Sequence, residues 1–239
     1  MNSSQIISRQ VAVNPSHSAV APAWHTAVVL LVLAGLSVQS VRQHGLISAG
    51  GGHAGSYVLV MVVEWVLTGF IWFGLRGRGM RLRDLIGRSW PGVRDVLRDL
   101  GIAVLYLIAA NLVLSGLGFL LKVAPSPGLR NILPNDALES VLFVLLSFTA
   151  GICEEIMFRG YFQRQFAALT GSTAAGLVLQ GVVFGAAHGY QGWKYMCVIA
   201  VYGCLFGLLA YWRRSLRPGM TAHFVQDSVG GLLGKHLMK

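Results

Sequence analysis

Charged residues are scarce in this chain. Asp, Glu, Lys and Arg make up 12% of its 239 residues, whereas 54% are hydrophobic and the mean hydropathy is +0.62. Soluble domains carry about a quarter charged residues, so the composition argues against a soluble fold. Several apolar runs approach the roughly 20 residues that cross a bilayer as a helix. We expect one all-α, membrane-embedded helix bundle.

Cysteine is also scarce. Cys153, Cys197 and Cys204 all lie in apolar runs and form no Cys-x-x-Cys pair. An odd number without paired spacing predicts neither a disulfide framework nor a zinc knuckle. We interpret the three as small apolar residues of membrane helices.

Negative charge is the scarcer sign, since 19 Lys and Arg stand against 9 Asp and Glu. The basic residues concentrate in loops between apolar runs, as the positive-inside rule describes. Because no basic cluster interleaved with aromatics lies outside those runs, we expect the lipid bilayer and no nucleic acid as partner. A cytoplasmic N-terminus puts 13 of the 19 basic residues on the cytoplasmic side, which predicts that orientation.

The apolar runs predict about seven spans, within a range of six to eight. Residues 1–23 are predicted as a loose polar tail, and residues 24–135 as N-terminal membrane helices. Their basic cytoplasmic loop, residues 76–99, is predicted as two interfacial helices broken at Pro91. The predicted spans are about 24–41, 57–75, 100–122, a fourth from an N-cap at Asp136 to a break at Thr170, then 173–188, 193–212 and 219–233.

Ionisable side chains inside apolar runs are costly and usually face the protein interior with a partner. The densest group here is Glu154-Glu155 with Arg159. Glu155 and Arg159 are four residues apart, so they can pair on a helix. Glu154 is then available as a general base towards water in a cavity. The alternative is a charge cluster at a helix end on the membrane surface.

Two later helices carry histidines. His188 follows the small residues of Phe184-Gly-Ala-Ala-His, which allow a neighbouring helix to approach closely. His223 and Asp227 share one helical face, so the carboxylate can fix the tautomer of the ring. The alternatives are a histidine at a span end and a satisfied polar pair between helices. Together with Glu154, three helices each contribute a group suited to acid–base chemistry.

Glu64 and Asn111 each lie alone in an apolar run. We interpret both as structural hydrogen-bonding residues between helices.

The order of these motifs resembles the CPBP (Abi) family, which contains the type II CAAX prenyl endopeptidases and bacteriocin self-immunity proteins. The resemblance covers about residues 140–231 through Glu-Glu-x-x-x-Arg, Phe-x-x-x-His and His-x-x-x-Asn/Asp on successive helices. It implies a catalytic membrane domain over residues 136–239. The implied activity is that of a glutamate-dependent intramembrane endopeptidase without a cofactor, acting through water on a membrane-anchored protein or peptide.

The resemblance also implies roles for single residues. Glu154 and His188 would activate the water, and Arg159 would orient Glu155. The predicted substrate-pocket residues are Phe158 and Phe184.

His223 and Asp227 would stabilise the oxyanion of the tetrahedral intermediate. Asp227 departs from the Asn of the prenyl endopeptidases, and an ionised Asp is a poor oxyanion donor. It would have to carry a proton, or hold His223 while His223 donates. This departure weakens the implied prenylated substrate more than the implied protease.

Other functions fit some of the same residues. Carboxylate and imidazole groups can hold zinc, although no His-Glu-x-x-His is present, and immunity or transport proteins also carry polar residues at mid-membrane. Serine and aspartyl designs fit worse, because Gly-x-Ser-Gly and Gly-x-Gly-Asp are absent. Nothing in the sequence around Cys153 activates its thiol as a nucleophile. The glycine and arginine content, without an organelle-targeting signal, favours a bacterial inner membrane.

Overall fold

The structure is a computed structural model that describes residues 18–44, 52–124 and 127–237. Within these ranges every regular element is helical, and β-type pairing is limited to an isolated bridge between Gly87 and Ser215. The predicted all-α fold is confirmed. In chain order the elements are α1 (Ala23–His44), α2 (Ala54–Arg76), α3 (Leu82–Ile86), α4 (Val93–Leu120), α5 (Pro127–Arg130), α6 (Ala137–Glu154), a π-helical segment (Glu155–Phe162), α7 (Gln163–Thr170), α8 (Thr173–Ala187), a 3-10 turn (Gly189–Gln191), α9 (Trp193–Arg213) and α10 (Arg217–Leu237).

Five helices are long and apolar enough to cross a bilayer: α1, α2, α4, the continuous helix from Ala137 to Thr170, and α9. Large apolar side chains cover their outward faces, among them the exposed Leu31, Leu59, Leu112 and Phe119. Apolar surface of this extent suits contact with lipid rather than water. The chain is a multi-pass membrane protein.

The number of spans stays a prediction, because two of the seven predicted helices differ from typical spans. α8 has 15 residues, which is fewer than the roughly 20 that cross a bilayer without thinning it. α10 has 21 residues but carries His223, Gln226 and Asp227 within one turn, so its composition is too polar for a lipid-facing helix.

The predicted loose tail is wrong for residues 18–22. Val20 and Ala21 are buried, and their backbone N–H groups both donate to Oε1 of Gln165, at 2.9 and 3.2 Å. Gln165 Nε2 donates in turn to the Ala21 carbonyl oxygen, at 2.9 Å. One side-chain amide thereby fixes the chain entry to α1 against α7. Residues 1–17 lie outside the described residues.

Two helices flank Pro91 as predicted, but the second is not a separate interfacial helix. The first is the short helix α3, and the second is the start of α4, which begins at Val93 rather than near residue 100. The helix extends because Asp99 is buried with its charge compensated. Its carboxylate accepts hydrogen bonds from Trp90 Nε1 at 2.9 Å and from Arg213 Nη2 at 3.0 Å.

The central helix, which we define as Ala137–Thr170, organises the bundle. Asp136 is its N-cap, as predicted, and accepts a hydrogen bond from the Glu139 N–H at 2.8 Å. At residue 155 the α-helical bonding gives way to an eight-residue π-helical segment whose residues are all buried. Its apolar side chains pack with those of α1, α2 and α8 in one core. π-helical turns are rare and concentrate at functional sites.

Small residues allow the helices around this core to approach closely. A Cβ added to Gly185 would lie within 3.0 Å of the backbone of Met196 and Ala200, so α8 and α9 touch backbone to backbone. This confirms the predicted role of the small residues before His188. Asn111 donates to Gln226 Oε1 at 2.9 Å and thereby links α4 to α10, which confirms its interpretation as a structural residue.

Candidate active site

Glu154 and Glu155 lie at the junction between α6 and the π-helical segment, and they differ as predicted. The Glu155 side chain is completely buried, and its Oε1 lies 3.0 Å from Nη1 of the equally buried Arg159. The Glu154 side chain is 18% exposed and makes no such pair with a guanidinium. The predicted ion pair is confirmed, and Glu154 is the carboxylate that retains access.

Aromatic rings surround the Arg159 guanidinium. Its Cζ lies 4.2 Å from the ring centroid of Phe184, 4.8 Å from Phe206 and 5.8 Å from Phe158. Such contacts stabilise a cation that has lost its water. Phe158 and Phe184 are each 2% exposed, so these two predicted substrate-pocket residues enclose Arg159. Their contact with a substrate stays a prediction.

Gly219 lets α10 approach the buried ion pair. A Cβ at this position would lie 2.9 Å from Glu155 Oε2, which is closer than real Cβ contacts occur. Because residues four apart lie on the same helical face, the same approach brings His223 to the carboxylates. Glycine is therefore needed here for space rather than for backbone conformation.

His223 lies among three carboxylates. Its Nδ1 is 3.1 Å from Glu155 Oε1, within hydrogen-bond distance, and its Nε2 is 3.6 Å from Glu154 Oε2 and 3.5 Å from Asp227 Oδ2. The latter two distances are those of ion pairs rather than hydrogen bonds. A carboxylate at Nδ1 fixes the proton on that nitrogen. Nε2 therefore faces Glu154 and Asp227, and the predicted His223–Asp227 pairing is confirmed.

His188 ends α8 with a fixed tautomer. Its Nδ1–H donates to the Phe184 carbonyl oxygen at 2.8 Å, so Nε2 of the neutral ring is an acceptor. His188 interacts electrostatically with Asp227. Within the described ranges no ion pair of 4.0 Å or less joins it to Glu154. The predicted joint action of His188 and Glu154 on water stays a prediction.

Tyr190 is a site residue that sequence reasoning missed. It lies in the 3-10 turn after His188, with ring centroids 6.2 Å apart, and interacts electrostatically with Glu154 and Asp227. Burial raises the pKa of Tyr190 to about 12, so its hydroxyl remains a donor at neutral pH. The sequence marked this segment only as a turn between helices.

Glu64 is a second residue whose place near the site was not predicted, since it was interpreted as a structural hydrogen-bonding residue. It is 8% exposed, and it interacts electrostatically with Glu154, His223 and Asp227. A lone acid in an apolar run was a visible signal. That α2 packs against α6 at this height could not be predicted from a pattern within one helix.

The zinc alternative stays a prediction. Among the described residues, no group of three or more His, Cys, Asp or Glu side chains is disposed to hold a metal ion. Glu155 Oε1, the carboxylate oxygen within hydrogen-bond distance of His223 Nδ1, also pairs with Arg159.

Residues 136–229 match the family model described as type II CAAX prenyl endopeptidase Rce1-like. The match covers 94 of the 239 residues, so it shows a similarity of this segment, which we call the CAAX-protease-like domain. This domain runs from the N-cap of α6 into α10, and it contains the three helices that carry the polar groups of the site. No curated protein and no solved structure matches the chain. The CAAX-protease-like domain and the apolar helices together support an intramembrane endopeptidase of the CAAX type.

Proposed function

We propose that this protein is a glutamate-dependent intramembrane endopeptidase that hydrolyses a peptide bond of a membrane-associated protein or peptide. The observation that carries the proposal is the arrangement of three carboxylates around the buried ring of His223. It lies in the CAAX-protease-like domain, on helices that a bilayer surrounds. Such a concentration of acid–base groups in a low-dielectric setting is typical of hydrolytic sites.

Glu154 is the proposed general base. Glu155 is neutralised by Arg159, whereas Glu154 keeps access and its Oε2 has no hydrogen-bond partner among the described residues. Glu154 takes one proton from water as the water oxygen bonds to the carbonyl carbon, and the carbonyl π electrons move to its oxygen. The C–N bond then breaks while that proton passes to the leaving nitrogen. A carboxylic acid and an amine result, with no covalent enzyme intermediate.

His223 is the proposed donor to the oxyanion. Arg159 holds Glu155, and Glu155 holds Nδ1 of His223. The Nε2–H of the protonated ring then points to the place where negative charge develops. Asp227, in contact with the same Nε2 at 3.5 Å, would orient the ring rather than donate to the oxyanion itself. His188 Nε2 is an acceptor, because Nδ1–H donates to the Phe184 carbonyl oxygen, and we propose that it acts on the attacking water together with Glu154.

The substrate is proposed from the family alone as a membrane-anchored polypeptide, whether its tail is prenylated or not. Comparative proteomics of membranes from cells with the wild type and with Glu154→Ala tests the activity and identifies the substrate together. We expect a set of new termini, all cut at one kind of position, that occurs only with the wild type. Identical termini in both cell lines would contradict the proposal.

A metal requirement is the alternative that purified protein tests directly. Because Glu154 can activate water without a Lewis acid, we expect turnover to remain within about twofold after a zinc chelator has been applied and removed. Metal analysis of the same sample by mass spectrometry is the control. Activity that is lost with the zinc and returns with added zinc would establish a metalloprotease instead.

Cys153 tests the alternative of a thiol nucleophile. It is completely buried beside Glu154, and its thiol interacts with the Thr68 side chain. We expect Cys153→Ala to retain turnover within about threefold, because the residue only fills space. A loss of 100-fold or more, at unchanged thermal stability, would make Cys153 the nucleophile in place of water.

A further inference from the structure

Among the described residues, Glu64 is a carboxylate that interacts with the site but that the proposed mechanism does not use. It lies on α2, outside the CAAX-protease-like domain of residues 136–229. The titratable and charged groups that it interacts with all come from the domain: Glu154 and Cys153 on α6, and His223 and Asp227 on α10.

Glu64 and Glu154, which interact electrostatically, each have a buried oxygen without a hydrogen-bond partner among the described residues. In both residues this oxygen is Oε2. A structural glutamate that joins helices would use its oxygens to accept bonds from the neighbouring helix. Asn111 does this with Gln226, whereas Glu64 Oε2 does not. Leaving such an atom unpaired costs free energy, so a buried glutamate with an unpaired oxygen points to a role other than joining helices.

The local charges do not balance if every acid is ionised. The cluster contains four carboxylates, Glu64, Glu154, Glu155 and Asp227, against Arg159 and the two imidazoles of His188 and His223. Even with both rings protonated, one negative charge is in excess. A buried site avoids such an excess by keeping a proton on one of its acids, as paired carboxylates do.

We propose that Glu64 carries this proton and donates it as a hydrogen bond towards Glu154, so that Glu64 positions the general base. The inference rests on Glu154 being the general base. Glu64 is the most suitable carrier, because Glu155 is paired with Arg159 and Asp227 contacts His223. The hydrogen bond from Glu64 holds the Glu154 carboxylate in one orientation towards the attacking water. The same orientation lets Glu154 pass the proton taken from water to the leaving nitrogen. Glu64 is in this sense a positioning residue.

Infrared spectroscopy of the purified protein in detergent tests the proton itself. We expect the C=O band of a protonated carboxylic acid, sensitive to 13C-labelling of glutamate, to disappear in Glu64→Gln. Glu139→Gln is the matched control, since Glu139 is equally buried but accepts a hydrogen bond from the Asn135 backbone N–H at 2.7 Å. Its replacement should leave the band in place. A band that survives Glu64→Gln overturns the proposal, whatever the activity of the protein.

Kinetics with a farnesylated fluorogenic peptide ending in a CAAX sequence test the positioning role. We expect Glu64→Leu to lower kcat about 100-fold with KM changed less than about threefold. Glu64→Gln should stay within about fivefold of the wild type, because its amide still donates to Glu154. Equal losses in both variants, or full activity in Glu64→Leu, contradict the proposal.

The two arms separate this inference from the proposed function. If Glu154→Gln still cleaves the peptide, the function is wrong, while the infrared band still decides whether Glu64 holds a proton. If Glu154→Gln is inactive and the band does not depend on Glu64, the function stands and the inference fails. Glu64→Leu must unfold at a temperature close to that of the wild type for its kinetics to count. If it does not, the infrared band in Glu64→Gln, which is nearly isosteric, decides the inference alone.

Discussion

Glu154→Gln should lower the turnover of a cleaved membrane protein by about 10²- to 10⁴-fold, the range that a lost general base typically costs. The amide has nearly the same size as the carboxylate but takes no proton from water. Glu154 Oε2 makes no hydrogen bond within the described part of the chain and lies 3.6 Å from His223 Nε2, so the replacement removes a charge contact but no hydrogen bond of that oxygen. The measurement is the rate at which purified variant and wild type in detergent cleave the substrate that proteomics identifies.

Glu139→Gln is the matched control for this variant. Both glutamates lie on the central helix, and Glu139 is the more deeply buried of the two. Glu139 contacts His53 at the other end of α6, away from the site. A decrease in activity confined to Glu154→Gln identifies the base. If Glu154→Gln instead keeps its full biological effect, the chain is no hydrolase, and the non-catalytic immunity or transport function takes its place.

Local spacing in the sequence predicted part of the site. Glu155 and Arg159, and likewise His223 and Asp227, are four residues apart, and a helix brings such residues together whatever the rest of the fold does. Both pairs are found in the structure. The N-cap at Asp136 was equally local, since it depends on one side chain and one backbone N–H.

Contacts between helices could not be predicted in the same way. Glu155 meets His223 because Gly219 allows α10 to approach, and Glu64 reaches the site because α2 packs along α6. Neither depends on a periodicity within one helix. The π-helical segment was missed for a related reason, since its residues suit an α-helix equally well and the core around them decides.

The N-terminal helices are more than a membrane anchor for the CAAX-protease-like domain. His25 and Thr26 of α1 both bond the Tyr161 hydroxyl in the π-helical segment, at 2.8 and 2.9 Å. Gln165, one turn later, fixes the backbone at Ala21. The N-terminal residues thus hold the helix that carries the proposed general base, and α2 supplies Glu64. The contacts that position the proposed site therefore extend beyond residues 136–229.

Arg159→Met should destabilise the protein more than other single replacements at the site, by about 3–5 kcal/mol, the usual result of removing one partner from a buried ion pair. The Glu155 carboxylate would remain completely buried with its cation gone. Methionine keeps the apolar contact with Phe184 and Phe206, so the loss reports charge rather than volume. The measurement is the unfolding transition of the purified protein in detergent, followed by heating or by denaturant.

The double variant Arg159→Met with Glu155→Gln is the control that isolates the charge. With both charges removed, most of the lost stability should return, because no ion is left buried without a partner. Activity should not return, since His223 Nδ1 would face an amide in place of the carboxylate that holds its proton. A single variant as stable as the wild type would contradict this account. Recovered stability without recovered turnover would mean that the buried pair serves to orient His223, with its net contribution to folding close to zero.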